Sequence, residues 1–323
     1  MSFKLVSPEE YKSYARKKRG GSKLLSVFTD DTEDWPIAKL VDGMTRKPKA
    51  YIMARADNPN EEEGWLPGLE TNDDDIIEKM PELHTGRRDS LYIVGQSGTY
   101  KSTYARYYAD NFISEFQECG EDPKVIIVCV DDPKFDSAFA TLPHTWISPA
   151  ELVDEFRDDP KLMTPDNVNP SRKPMLFIFD DLDGISDKAT NKILSAFVEM
   201  VLTRGRKYRL HSIFISHSGT KGGTKSAVHL LESSHISVPL KHTIGQNIKY
   251  TLEKHFNLPT SLRRLLQEEN TKFGPRALIS AGGAPQVVIT DKRIINLNPD
   301  KLDEALEEIK HRRKQARIIR KSK

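Results

Sequence analysis

LYIVGQSGTYKST, residues Leu91 to Thr103, runs an apolar strand into a glycine turn and then into a Lys-Ser pair that opens a helix. The spacing reads as a cradle for nucleotide phosphates. In the pattern G-x-x-x-x-G-K-[ST], successive backbone N–H groups surround the phosphate oxygens, the lysine neutralises charge, and the hydroxyl reaches Mg²⁺. Gly95, Lys101 and Ser102 fit this pattern, and Gln96, Ser97, Gly98, Thr99, Tyr100 and Thr103 complete the candidate loop. One position departs from it, because Tyr100 stands where the last glycine is expected. A side chain there must either point away from the nucleotide or stack against it.

Downstream, the chain keeps the order such a loop needs. Ser102 to Gln117 carries apolar residues at helical spacing, and VIIVCV (Val125 to Val130) is apolar throughout, as in a parallel strand covered on both faces. Asp131 to Lys173 is long and rich in Pro and Asp, and reads as an insertion with a small helix at Ala150 to Phe156. MLFIFDDLD (Met175 to Asp183) then ends an apolar strand in acids, at the edge where open α/β sheets bind ligands. In a Walker B arrangement Asp180 holds Mg²⁺ and Asp181 orients the attacking water. The competing reading is a helix N-cap cluster. Neighbouring strand residues face opposite ways, so a shared site also needs local twist at the strand end. A long amphipathic helix at Asp187 to Thr203 leads into Arg204, Arg206, Lys207 and Arg209. SIFISHS (Ser212 to Ser218) follows as a strand ending in Ser216-His217, placed either to sense a terminal phosphate or, for His217, to serve as a loop histidine. Further strands are expected at HISVPL (His235 to Leu240), RALISA (Arg276 to Ala281) and QVVITDKRIINL (Gln286 to Leu297), with helices at Gly245 to Phe256 and Thr260 to Glu268.

With 323 residues, 37% of them hydrophobic and 30% charged, the chain has material for one sizeable α/β core with appendages. The net charge of +2 hides segregation, since acids gather near residues 57 to 75 and bases close the chain. No apolar run approaches the roughly 20 residues that span a bilayer, and MSFKLVSPEEYK lacks the apolar core of a signal peptide. A soluble, reducing setting is expected. Cys119 and Cys129 have no metal-like spacing and read as a helix-end and a buried strand cysteine. Residues 1 to 86 read as peripheral. The basic run Arg16 to Arg19 lies among tyrosines and suits either a nucleic-acid contact or a solvated arm, while Trp35 and Trp65 are isolated anchors in polar sequence. Pro59 to Gly68 and Asp73-Asp74-Asp75 read as exposed loop. The C-terminal segment, Leu302 onward, mixes apolar and acidic residues before a basic end in which eight of the last fourteen residues are Lys or Arg. That end suits DNA phosphates, an acidic shell protein, a targeting patch or a free basic tail.

Taken together, GQSGTYKS, FIFDDLD and RGRKYRLHSIFISH resemble the FtsK–HerA division of P-loop ATPases, most closely the genome-packaging ATPases of large cytoplasmic DNA viruses and their virophage relatives. TKFGPRALISAGGAPQVVITD (Thr271 to Asp291) is similar to that group's closing element. The resemblance covers about residues 88 to 297. It implies an α/β fold with a RecA-like ASCE P-loop NTPase core over 87–297 and a central, mostly parallel sheet. An N-terminal extension (1–86) and a basic C-terminal helix (298–323) would flank that core. It further implies a homo-oligomeric ring that hydrolyses ATP with Mg²⁺ and drives double-stranded DNA into a capsid. A capsid or portal-vertex protein is an implied partner, and the host cytoplasm, viral factory or virion the implied location. Carried over by residue, Lys101 and Ser102 bind phosphates and Mg²⁺. Asp180 and Asp181 act as metal ligand and catalytic carboxylate, Ser216 and His217 stand at the polar sensor position, and Arg206 is the arginine finger reaching a neighbour's ATP. Arg204 and Arg276 are further candidates for that trans role. Two departures are Tyr100 and an aspartate at 181 where many such enzymes carry glutamate. Competing classes are an AAA or helicase-like ATPase, a small-molecule kinase, and a nucleotide-regulated DNA- or capsid-binding protein with a weakened site.

Overall fold

The computed structural model describes residues 2–13, 35–55, 66, 68–72, 74–83, 87–217, 233–240, 252–253, 276–280, 287–297, 307 and 311. The arm at 16–19, Trp65, the helices expected at 245–256 and 260–268, and the basic C-terminal segment, apart from isolated positions, lie outside the described residues.

The fold is mixed α/β, built on a ten-stranded sheet. Five buried central strands form its parallel half: β6 (Ser90–Val94), β7 (Lys124–Val128), β9 (Met175–Phe179), β10 (Leu210–Ser216) and β11 (His235–Pro239). Across the whole sheet the order is β4-β14-β13-β12-β11-β6-β10-β9-β7-β8. Here β8 (Thr145–Ile147) extends the parallel edge, and β12 (Arg276–Ser280), β13 (Val287–Thr290), β14 (Arg293–Asn296) and β4 (Gly68–Glu70) form an antiparallel flank. The sheet pairs strands distant in sequence. β10 lies between β6 and β9, with Ser216 level with Val94 and Phe214 level with Phe179.

Strand alternation sends consecutive side chains to opposite faces. Tyr92, Val94, Phe177, Phe179 and Phe214 pack with helices α2 (Pro149–Arg157) and α3 (Lys188–Arg204) through Phe156, Leu194, Phe197 and Val201. Leu91, Ile93, Ile127, Ile178 and Ile213 pack on the other face with helix α1 (Lys101–Glu118) through Ala105, Ala109, Phe112 and Phe116. That second face also receives a separate four-stranded antiparallel sheet, ordered β1-β3-β2-β5 and made of β1 (Ser2–Val6), β2 (Trp35–Asp42), β3 (Pro48–Arg55) and β5 (Asp75–Lys79). Burial on both faces explains why β6, β7 and β9 read as nearly unbroken apolar runs, while β10 and β11 add buried polar residues such as His211 and His235.

Three expectations change here. Gln286 to Leu297, read as one strand-like stretch, is a hairpin whose arms β13 and β14 pair through Ile289 and Ile294. Asp75, read as part of an exposed acidic loop, is buried at the start of β5, where Lys49 Nζ stands 2.6 Å from Oδ1. Residues 131–173, read as an insertion, contribute the edge strand β8 and helix α2, which begins at a Ser148 capping box with Glu151. Trp35 packs against the α1-side core.

Candidate functional site

The loop between β6 and α1 is shaped by positive φ angles. Gly95 sits at φ 152°, where an added Cβ would lie 2.5 Å from the Thr99 hydroxyl, and Gly98 sits at φ 75°. Tyr100 occupies the N-cap of α1 in the left-handed region, at φ 61° and ψ 28°. This is the conformation a glycine adopts freely, which accounts for the usual glycine at that position. The tyrosine ring is 53% exposed, so the missing glycine changes what the loop presents to solvent rather than its path. Thr99 turns its hydroxyl back to donate to the Gln96 carbonyl at 2.7 Å.

A buried guanidinium holds the loop from behind. Arg276, on β12 and 1% exposed, donates from Nη1 to the Thr99 carbonyl at 2.6 Å and from Nη2 to the Val94 carbonyl at 2.6 Å. It also bonds the Ser237 hydroxyl through Nε at 2.9 Å and the Ser237 carbonyl through Nη2 at 2.7 Å. Burial pulls its pKa down to about 9. The trans role considered for Arg276 is therefore corrected, since its donors are spent on carbonyls of its own chain that bracket the loop. Arg204 and Arg206 are both exposed, at the C-terminal end of α3 and in the short 3-10 turn Gly205–Tyr208 that follows. They precede β10, at the opposite end of the strands from Lys101. β10's length of seven residues at ~3.3 Å each puts them roughly 20 Å from their own loop.

At the loop end three strand termini converge. Lys101, largely buried, donates from Nζ to the Gln96 carbonyl at 3.1 Å and to His217 Nδ1 at 3.4 Å. An ammonium has no acceptor, so Nδ1 accepts and the proton sits on Nε2, which donates to Asp181 Oδ1 at 3.0 Å. His217 thus bridges the loop lysine and the second acid. Asp181 takes a left-handed conformation, φ 51°, and this breaks the strand alternation that would have turned it away from Asp180. Ser216, 1% exposed, donates through Oγ to Asp183 Oδ2 at 2.6 Å, and its carbonyl accepts from Gly95 N at 3.2 Å. Asp183 is the residue that sequence reading missed. It stood inside FDDLD, but only the pairing of β10 beside β9 brings it to Ser216.

The charges are set against one another. Burial first, then Asp181 and Asp136, push the Asp180 carboxyl up to about 7, against the pull of Lys101. Burial lowers the Lys101 pKa, with Arg276 adding to it and Asp180 and Asp181 opposing. The Ser102 hydroxyl and the Asp180 carboxylate are hard oxygen donors at a site crowded with acid, a donor set that suits Mg²⁺ shared with phosphate oxygens. Such an arrangement can neutralise a phosphate chain and hold a carboxylate ready to accept a proton from water.

No protein-family profile matches the chain. A Sputnik virophage protein, known as uncharacterized protein V3, is 25% identical over 240 residues, 73% of this chain and 86% of its own length. The genome packaging NTPase B204 of Sulfolobus turreted icosahedral virus 2, solved with ATPγS, is 11% identical with a TM-score of 0.40 over 63% of this chain and 97% of that one. The pCW3 conjugation coupling protein TcpA, also with ATPγS, is 13% identical, TM-score 0.39, over 94% of this chain and 87% of that one. EssC of Geobacillus thermodenitrificans (ATPases 2 and 3) is 12% identical, TM-score 0.43, over 97% of this chain and 51% of that one. Among the described residues no helix is long and apolar enough to cross a membrane.

Proposed function

We propose that this chain is an ATPase subunit of a ring that drives double-stranded DNA into a viral capsid. The observation that supports this most is the Lys101–His217–Asp181 bridge, which joins a phosphate-loop lysine to a carboxylate across three strands. In this reading the backbone N–H groups of 95–103 and Lys101 cradle the triphosphate, Arg276 keeps the loop's carbonyls turned away from it, and Ser102 with Asp180 holds Mg²⁺. The metal, when bound, supplies charge neutralisation between phosphates. Asp181 orients the attacking water and accepts its proton, Asp183 positions Ser216, and His217 returns Lys101's hydrogen bond when the phosphates are absent. Arg206, far from its own loop, serves the neighbouring subunit's nucleotide, with Arg204 beside it. Hydrolysis then depends on assembly, and a lone subunit is nearly inactive. A capsid or portal-vertex protein is the further partner this reading assigns.

The test is ATP hydrolysis by the purified full chain with and without double-stranded DNA. Stimulation by DNA that vanishes in Lys101→Ala, together with loss in Arg206→Ala restored by mixing with an Asp181→Asn chain, supports the motor. Binding of ATP and DNA without turnover would replace it with a nucleotide-regulated DNA-binding protein.

A further inference from the structure

A cavity of about 260 Å³ opens beside Tyr100, between the start of α1 and the small N-terminal sheet. Its wall on the helix side includes Tyr100, Thr103, Tyr104 and Tyr107, the i, i+3, i+4, i+7 spacing of a single helix stripe, and continues to Tyr108 and Asn111. Its other wall includes Arg46 and Glu78, which are ion-paired to each other. The Arg46 guanidinium lies 4.1 Å from the centre of the Tyr107 ring. Tyr100 and Tyr107 remain 53% and 43% exposed, although both are large aromatic rings. Exposed rings next to a guanidinium plane are the surfaces on which nucleobases stack.

The cavity and the phosphate loop share residues. Tyr100 caps the helix whose first residue is Lys101, and Thr103 follows Lys101 by two positions. A triphosphate held at Lys101 and Ser102 leaves the remainder of the nucleotide beside this first turn, where a concave, mainly aromatic surface begins. The volume is near the lower end for small-molecule pockets, roughly 300 Å³, which suits a base with part of its sugar rather than a larger ligand.

We propose that this cavity receives the base of the nucleoside triphosphate, stacked along the Tyr100–Tyr107 stripe with Arg46 at its outer rim. The proposal rests on the phosphate-loop reading above and adds the base site to it. Tyr100 is then part of nucleotide recognition, and the small N-terminal sheet completes the site by supplying Arg46 and Glu78.

Calorimetric titration with ATP and with inorganic tripolyphosphate, both with Mg²⁺, separates the two readings. The wild-type chain should bind ATP at least about tenfold more tightly than tripolyphosphate, the scale of one base-stacking contact. Tyr107→Ala should lose about tenfold for ATP and leave tripolyphosphate unchanged, while Tyr107→Phe, which keeps the ring, should retain ATP affinity. Equal binding of the two ligands by the wild type, or undiminished ATP binding by Tyr107→Ala, overturns the base site while leaving the phosphate cradle standing. Loss of both ligands in Lys101→Ala alone supports the cradle. Failure of the wild type to bind either ligand overturns the cradle and the base site together.

Discussion

The two ends of the parallel strands both gather charge, and they treat it in opposite ways. At the loop end Lys101, Asp180, Asp181 and His217 meet with Asp181 and His217 largely open to solvent, and Asp180 pushed up to about 7. At the other end Asp89 is enclosed. Its carboxylate accepts from His235 Nε2 at 2.9 Å, from the Glu82 backbone at 2.7 Å and from Tyr108 Oη at 2.5 Å, with Lys79 at 3.5 Å. Burial alone would raise the Asp89 carboxyl, yet Lys79 and His235 hold it well below the usual carboxylate range. His235 passes its other nitrogen to the Ser280 hydroxyl at 2.8 Å, and His211 Nδ1 accepts from Asp89 N at 3.2 Å. A structural cluster saturates its donors and acceptors, whereas a ligand site keeps like charges together for a partner that brings its own.

That contrast can be broken by mutation. The largest effect is expected at the loop end for chemistry: on the proposed ATPase reading, Asp181→Asn should lower ATP turnover by about 10² to 10⁴-fold with little change in melting temperature, since the side chain is 65% exposed. A steady-state assay beside a melting curve checks both halves. At the other end Asp89→Ala should act on stability, costing about 3–5 kcal/mol by leaving the largely covered Lys79 ammonium without its counter-charge and the Tyr108 hydroxyl without its acceptor. Urea unfolding measures it, and a loss below about 1 kcal/mol would mean that the cluster is not a saturated anchor.

Acidification should sharpen the same difference. Burial pulls the His211 pKa down to about 3 and lowers that of His235, so both rings stay neutral in the folded chain. As pH falls below about 6.5 the unfolded chain takes up protons that the folded rings refuse, and stability drops by up to ~1.4 kcal/mol per pH unit for each histidine. The loss should begin near 6.5 and, for His211, level off near 3, and a His211→Gln variant should show a shallower slope. The smallest effect is expected at Tyr100→Gly. Removing a side chain from φ 61° should stabilise the chain by about 1 kcal/mol while removing one stacking surface of the cavity. Higher melting temperature with weaker ATP binding is the expected pair of readings.

Much of this was legible in the sequence. LYIV, VIIV, MLFIF and SIFIS announce buried strands, and their ends carry the groups found at the loop end. The small N-terminal sheet was not legible, because its strands alternate weakly and are separated by polar stretches. Arg276 departs from its sequence reading for a related reason. An arginine that follows Pro275 and opens an apolar strand reads as a surface charge, and only the folded chain shows three backbone carbonyls waiting for it. Asp89, Lys79, Tyr108 and His235 span more than 150 positions, so no local pattern could join them.

The sequence by itself determined which groups each strand delivers to its end, since apolar runs, glycine turns and terminal acids act over a few residues. The tertiary structure alone decided which ends meet. Placing β10 between β6 and β9 sets His217 between Lys101 and Asp181, and packing α1 under the N-terminal sheet turns the Tyr100 stripe into a cavity wall. The physical reason is that strand order comes from burying two faces of one sheet at once, a sum over contacts far apart in the chain.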